Sequence, residues 1–298
     1  MISGYMLFDG KGVNSSCVRG RLRGLFLIFL VYETVFILMD QIYHFYIGDF
    51  PVIPPKKEIL FFITTGHWRF AGHLWYIHAY IIVLALVLII ERFRLWRIYF
   101  VFLPVLIVSS LVIAEYIPLY TGHKYSYYFC ANFLLVGLPY FGLGAIIKKY
   151  ARFLIRPVYA GRYFLAAAVS LALGYYEIVF FASRADNFAY QYTNTVFASV
   201  FVFLTALCFP MRKENLMARM GRRDSRHIYI LHWTVFYIYA NIPLFEGPLI
   251  DYTRYYFSVL ALVTTIGITH LLRYIGIIDR GAVKKIKVFG REKAKTLG

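Results

Sequence analysis

The chain has 298 residues, of which 60% are hydrophobic and only 16% charged, with a formal net charge of +17 and a mean hydropathy of +0.63. A soluble domain is nearer half apolar and a quarter charged, so the composition excludes an ordinary soluble enzyme and points to an all-α fold, a polytopic integral membrane helical bundle. In such a protein Lys and Arg set topology first, which removes nucleic acid as a partner. The scattered Cys17, Cys130 and Cys208 lack the spacing of a disulfide framework or a metal site.

In chain order, MISGYMLF is apolar but far shorter than the roughly 20 residues that a spanning helix needs. Residues 9–21 are polar and basic and no small-residue cleavage site follows, so the start does not read as a signal peptide. Eight stretches then qualify as spans: 22–39, 73–90, 98–115, 129–147, 163–183, 192–210, 227–245 and 255–275. Between the first two, residues 41–72 form a long loop in which Pro51, Pro54 and Pro55 forbid a continuing helix.

The connections alternate in charge. Lys11, Arg19 and Arg21 outweigh Asp9 before the first span, and the loop after it is neutral. Arg92, Arg94 and Arg97 oppose Glu91 in the next. Loop 116–128 has only Lys124, whereas 148–162 has Lys148, Lys149, Arg152, Arg156 and Arg162 with no acid. Loop 211–226 is basic, 246–254 slightly acidic, and the tail from Arg273 strongly basic. The positive-inside rule then predicts both termini in the cytoplasm and an even number of spans, which about eight transmembrane helices satisfy; the expected location is the plasma membrane. Residues 1–275 read as one membrane domain and 276–298 as a basic, lipid-contacting tail.

Polar side chains inside the membrane are costly and so informative. An outer layer holds Glu33 in the first span, His73 and His78 at the start of the second, and Glu177 in the fifth, with Trp75 and Tyr76 between the histidines. One reading is an outward-opening pocket in which a histidine or Glu33 handles the proton of a hydroxyl nucleophile. The other is an aromatic interfacial belt. His73 and His78, five apart, point about 140° apart on a helix and cannot share a metal. An inner layer holds His227 and His232 in the seventh span, with Tyr229 between them, His270 in the eighth, and Arg19, Arg21 and Arg23 before the first. The arginines read either as a cytoplasmic mouth for a phosphorylated donor or as topology determinants facing anionic lipid. No nucleotide-binding glycine loop, HExxH pair or GxSxG elbow is present.

Four stretches together resemble the acyltransferase 3 family of integral membrane acyltransferases. They are MISGYMLF with RGRLRGLFLIFLVY, GHLWYIHAYIIVL, LLVGLPYFGLGAIIKKY, and SRHIYILHWTVFYIY. The resemblance implies a protein of about ten spanning helices that transfers an acyl group, often acetyl, from acyl-CoA to a hydroxyl of an envelope carbohydrate. No tightly bound cofactor is expected; membrane lipid, the glycan acceptor and acyl-CoA are the expected partners. It also implies that MISGYMLF ends the family's second helix. The first helix, with the Arg-and-His pair to which catalysis is attributed, then has no counterpart here. The start is accordingly expected to be mis-assigned or truncated, and the catalytic base to be absent from the chain as written.

By the resemblance, Arg19, Arg21 and Arg23 hold donor phosphates, although Gly24 stands where a second arginine is expected after Arg21. Glu33, His73 and Trp75 line the acceptor side, and His78, Glu177, Tyr229 and His232 remain as other polar intramembrane candidates. Two rivals stand beside this reading: a non-catalytic transporter or export factor for a glycan intermediate, and an inactive remnant.

Overall fold

The computed structural model describes residues 1–46, 74–123, 125, 130–184, 192–209, 224–240 and 250–276. His73 lies outside the described residues, as does the tail beyond Gly276. The chain divides into two units, Met1–Pro210 and Met211–Gly298. Among the described residues there is no strand; one isolated bridge joins Phe8 and Val13.

The first unit begins with α1 (Ile2–Leu7) and α2 (Ser15–Tyr46). After it come α3 (Trp75–Arg92) and α4 (Trp96–Leu111), the latter running through a π turn (Val112–Tyr116) into α5 (Ile117–Thr121). A second π turn (Phe133–Gly137) leads into α6 (Leu138–Lys149). The short α7 (Ala151–Leu154) and a 3-10 turn (Pro157–Tyr159) connect it to α8 (Ala160–Arg184), which is followed by α9 (Thr193–Cys208). The second unit contains α10 (Ser225–Ala240) and α11 (Ile250–Tyr274).

Each of the eight predicted stretches contains a helix. Four described helices are long and apolar enough to cross a membrane: Ser15–Met39, Trp75–Arg92, Trp96–Thr121 and Pro157–Phe180. Thr193–Cys208 and Val259–Tyr274 are apolar but shorter. Large apolar side chains face outward along these helices, among them Leu27 and Val31 on α2, Val101 and Val105 on α4, and Phe164 and Leu165 on α8. Such a surface suits hydrocarbon, since the helix satisfies its own backbone and only side chains meet the lipid.

Two boundaries differ from the sequence reading for local reasons. Helix α2 starts at Ser15, seven residues before the apolar run, because Asn14 caps it. Its Oδ1 accepts the Ser16 and Cys17 amides and the Ser16 hydroxyl. The fourth stretch opens as a π turn, with the Asn132 side chain accepting the Leu134 and Leu135 amides at 2.8 and 2.9 Å.

The core of the first unit forms where α1, α3, α4 and α6 meet, around Leu7, Phe8, Val83, Val87, Trp96, Phe141 and Ala145. Helix α1 lies directly on α6. A Cβ on Gly4 would fall 1.9 Å from the Phe141 carbonyl oxygen, and one on Gly144 1.9 Å from that of Met1. Only two glycines permit so close a backbone crossing. At the basic end of the bundle, the turn at residues 9–13 is latched to α3. Glu91 Oε2 accepts the Val13 amide at 2.8 Å and the Trp96 indole N–H at 2.7 Å.

In the second unit α10 packs against α11. Asp224, at the head of α10, pairs with Arg273 near the end of α11, and both are buried. Thr265 and Thr269 bond back to carbonyls of their own helix and so add no polar demand to the packing.

Candidate functional site

In the half of the first unit away from Arg92 and Lys149, α3, α6 and α9 enclose a cavity of about 500 Å³. Helix α3 supplies Trp75, Tyr76, Ala79, Tyr80 and Val83, a stripe at helical spacing. Tyr140 and Phe141 come from α6, Tyr192 and Thr195 from the start of α9, and Met1 and Ser3 close the end next to α1. The wall is aromatic. Tyr76 and Tyr80 are stacked, 6.3 Å between centroids, and Trp75 meets the Tyr76 ring edge to face at 6.1 Å. Among the described lining residues there are π-faces and hydroxyls, but no imidazole and no carboxylate.

The residues singled out from the sequence are spread over several places. Trp75 stands in the cavity wall. His78 lies on another side of α3, at the seam with α2, where its ring is 5.7 Å from Phe29. Glu33 belongs to the same seam. Phe29, Glu33 and Phe36 form the buried stripe of α2, and Glu33 is only 4% exposed. Neither of its carboxylate oxygens has a hydrogen-bond partner among the described residues. It stands one helical turn beyond Phe29, toward the level at which α3 begins.

Glu177, on α8, accepts the Asn194 amide at 3.1 Å and so caps the first turn of α9. Beside it, the buried Glu115 of the first π turn accepts the Thr193 hydroxyl at 2.8 Å. Tyr116 is bonded to the same hydroxyl oxygen at 3.1 Å. A hydroxyl has one proton to give, so Thr193 donates to Glu115 and accepts from Tyr116. Two carboxyl groups thus hold the start of α9, where the helix dipole favours negative charge. The next residues on either side, Tyr192 and Thr195, line the cavity.

Arg19, Arg21 and Arg23 are all exposed on the first turns of α2. Because α2 is already helical here, Arg19 and Arg23 share a face and Arg21 points about 160° away. Arg19 Nε donates to the Ser15 carbonyl at 3.2 Å. Tyr229 and His232 belong to the second unit. The His232 Nδ1–H donates to the Tyr229 carbonyl, and the two rings lie 5.5 Å apart.

Sequence reasoning passed over Glu115, Tyr80, Tyr140 and Tyr192, and took Glu91 only as a loop charge and Tyr76 only as a member of an interfacial belt. Glu115 was legible in principle as an acid that ends a long apolar run; Tyr80 and Tyr140 were not distinguishable from the chain's other tyrosines.

A sequence model of the acyltransferase 3 family, an acyltransferase domain, matches residues 1–272. No curated protein and no solved structure matches the chain.

Proposed function

Since the chain belongs to the acyltransferase 3 family, we propose that it is a multi-pass plasma-membrane O-acyltransferase that moves an acyl group, in the simplest case acetyl, from acyl-CoA to a hydroxyl of a cell-envelope glycan. The general class, a membrane acyltransferase, rests on the family and on the apolar helices. The observation that supports the finer reading is the aromatic cavity around Trp75. An indole or phenol face suits the apolar face of a sugar ring, and the tyrosine hydroxyls suit its edges. In this reading the bundle has eight spans with both termini cytoplasmic, the basic end faces the donor, and the cavity opens to the acceptor side.

In the reaction the acceptor oxygen attacks the thioester carbonyl, the C–S bond breaks, and the acceptor proton ends on the CoA sulfur. The cavity's role is to hold the sugar so that one hydroxyl points at the thioester. Trp75 stacks on the ring, and Glu33 and His73 are the further acceptor-side candidates, His73 lying outside the described residues. Arg19 and Arg23, on one face of α2, are the pair suited to CoA phosphates; Arg21 stands apart from them. Among the described lining residues there is no imidazole and no carboxylate to act as the base.

The same wall also suits an export factor, which needs stacking surfaces for a glycan and no base. One experiment separates the two. Membranes from cells expressing the protein from its own locus are given acetyl-labelled acetyl-CoA, and the envelope glycan is assayed for alkali-labile label. Acyl transfer predicts label, reduced about tenfold by Trp75→Ala. Glycan that crosses the membrane unlabelled supports export and overturns the transferase.

A further inference from the structure

The connection from α6 to α8 lies away from the cavity and has no part in the proposed transfer. With the helix ends that flank it, it carries Lys148, Lys149, Arg152, Arg156 and Arg162, and from Tyr116 to Tyr176 the chain contains no acidic residue at all. The cations are held in an ordered frame. The Leu154 amide bonds to the Tyr150 carbonyl at 3.0 Å, the Ile155 amide to that of Ala151 at 2.8 Å, and the Tyr159 amide to that of Arg156 at 2.9 Å. The Tyr163 hydroxyl donates to the Leu154 carbonyl at 3.1 Å.

Within this frame two guanidinium groups attend one ring. The Arg156 and Arg162 carbons lie 6.0 and 5.8 Å from the centroid of Tyr159, within cation–π range. Arg156 Nε also donates to the Arg152 carbonyl at 3.4 Å, so its fork is oriented. Two like charges gathered at one ring, with no carboxylate paired to them among the described residues, are stabilised by an anion, and planar forks favour a phosphate. The surroundings select its source. Phe153 and Val158 project beside the arginines, 63% and 72% exposed, and Phe164 and Leu165 continue the apolar surface along α8. A free phosphate has no use for such a border, whereas a phospholipid fills both halves.

The geometry points to a binding site for an anionic phospholipid headgroup formed by Arg156, Arg162 and Tyr159, with its acyl chains against Phe153, Phe164 and Leu165. The site lies on the basic end, which the positive-inside rule assigns to the cytoplasmic leaflet, the one that carries anionic lipid.

The test is native mass spectrometry of the whole detergent-purified chain, titrated with phosphatidylglycerol or phosphatidylcholine. Phosphatidylglycerol should be retained and phosphatidylcholine released. Arg156→Gln/Arg162→Gln should weaken phosphatidylglycerol retention roughly tenfold or more. The same loss of charge at Arg94→Gln/Arg97→Gln should leave it nearly unchanged. A second variant, Arg156→Lys/Arg162→Lys, keeps the charge and removes the forks, and should weaken retention by roughly threefold.

Equal loss from the Arg94/Arg97 variant, full retention by the lysine pair, or equal retention of the two lipids would overturn the site in favour of diffuse charge. Displacement of the lipid by coenzyme A at matched concentration would overturn it in favour of a soluble phosphate ligand. None of these readouts requires acyl transfer, so the site stands or falls separately from the proposed function.

Discussion

Glu91 shows how one side chain sets the start of the long first span. Its Oε2 serves two donors from different parts of the chain, the Val13 amide and the Trp96 indole. Glu91→Ala leaves both without their acceptor and is expected to cost about 1–3 kcal/mol, seen as a lower Tm in detergent. Glu91→Gln keeps a carbonyl acceptor and should lose less.

Asp9 acts in the same turn. Its Oδ1 accepts the Lys11 and Gly12 amides, and these bonds hold its carboxyl below the ordinary 3.8. A carboxyl depressed in the folded state contributes stability above its unfolded pKa and loses it as pH falls through the folded one. The Lys11 and Gly12 amide resonances should therefore shift as pH drops below about 4, and Asp9→Asn should abolish that shift. At this scale the sequence was least informative. Glu91 read only as a loop charge offsetting three arginines, because its partners lie 78 and five residues away. Trp75 was singled out on pattern, but no local signal separated its face of α3 from that of His78.

Elements were far more legible than contacts, because an apolar run long enough to span declares itself and its basic flank orients it. What the runs conceal is how helices begin and meet. The Asn14 cap starts α2 among polar residues, and two π turns interrupt apolar stretches that otherwise read as uniform. The octapeptide before α2 read as too short to span, and nothing in it disclosed a partner, yet α1 crosses α6 backbone to backbone at Gly4 and Gly144. Gly144→Ala should push the helices apart and cost about 1–3 kcal/mol, read as a fall in Tm. Gly24→Ala, on α2, meets nothing within 4 Å. It should stabilise by about 0.5–1 kcal/mol, since it removes backbone freedom without a clash.

For the whole molecule, the alternation of loop charge predicts that the basic end faces the cytoplasm. Cys17 reports on it directly, being exposed on the first turn of α2 while Cys130 and Cys208 are buried. A membrane-impermeant maleimide should label Cys17 in inverted vesicles and spare it in right-side-out ones. The reverse pattern would turn the bundle over and move the aromatic cavity to the donor side.

Belonging to the acyltransferase 3 family fixes the class of chemistry, and the cavity around Trp75 supplies the reading of the acceptor. The most direct measurement is acetyl transfer itself, from acetyl-CoA to the envelope glycan, in membranes holding the protein expressed from its own locus. The account predicts alkali-labile acetyl on the glycan, lowered about tenfold by Trp75→Ala with the protein's abundance and Tm preserved. Acetylation that is untouched by Trp75→Ala, or a glycan that never acquires acetyl, would contradict it.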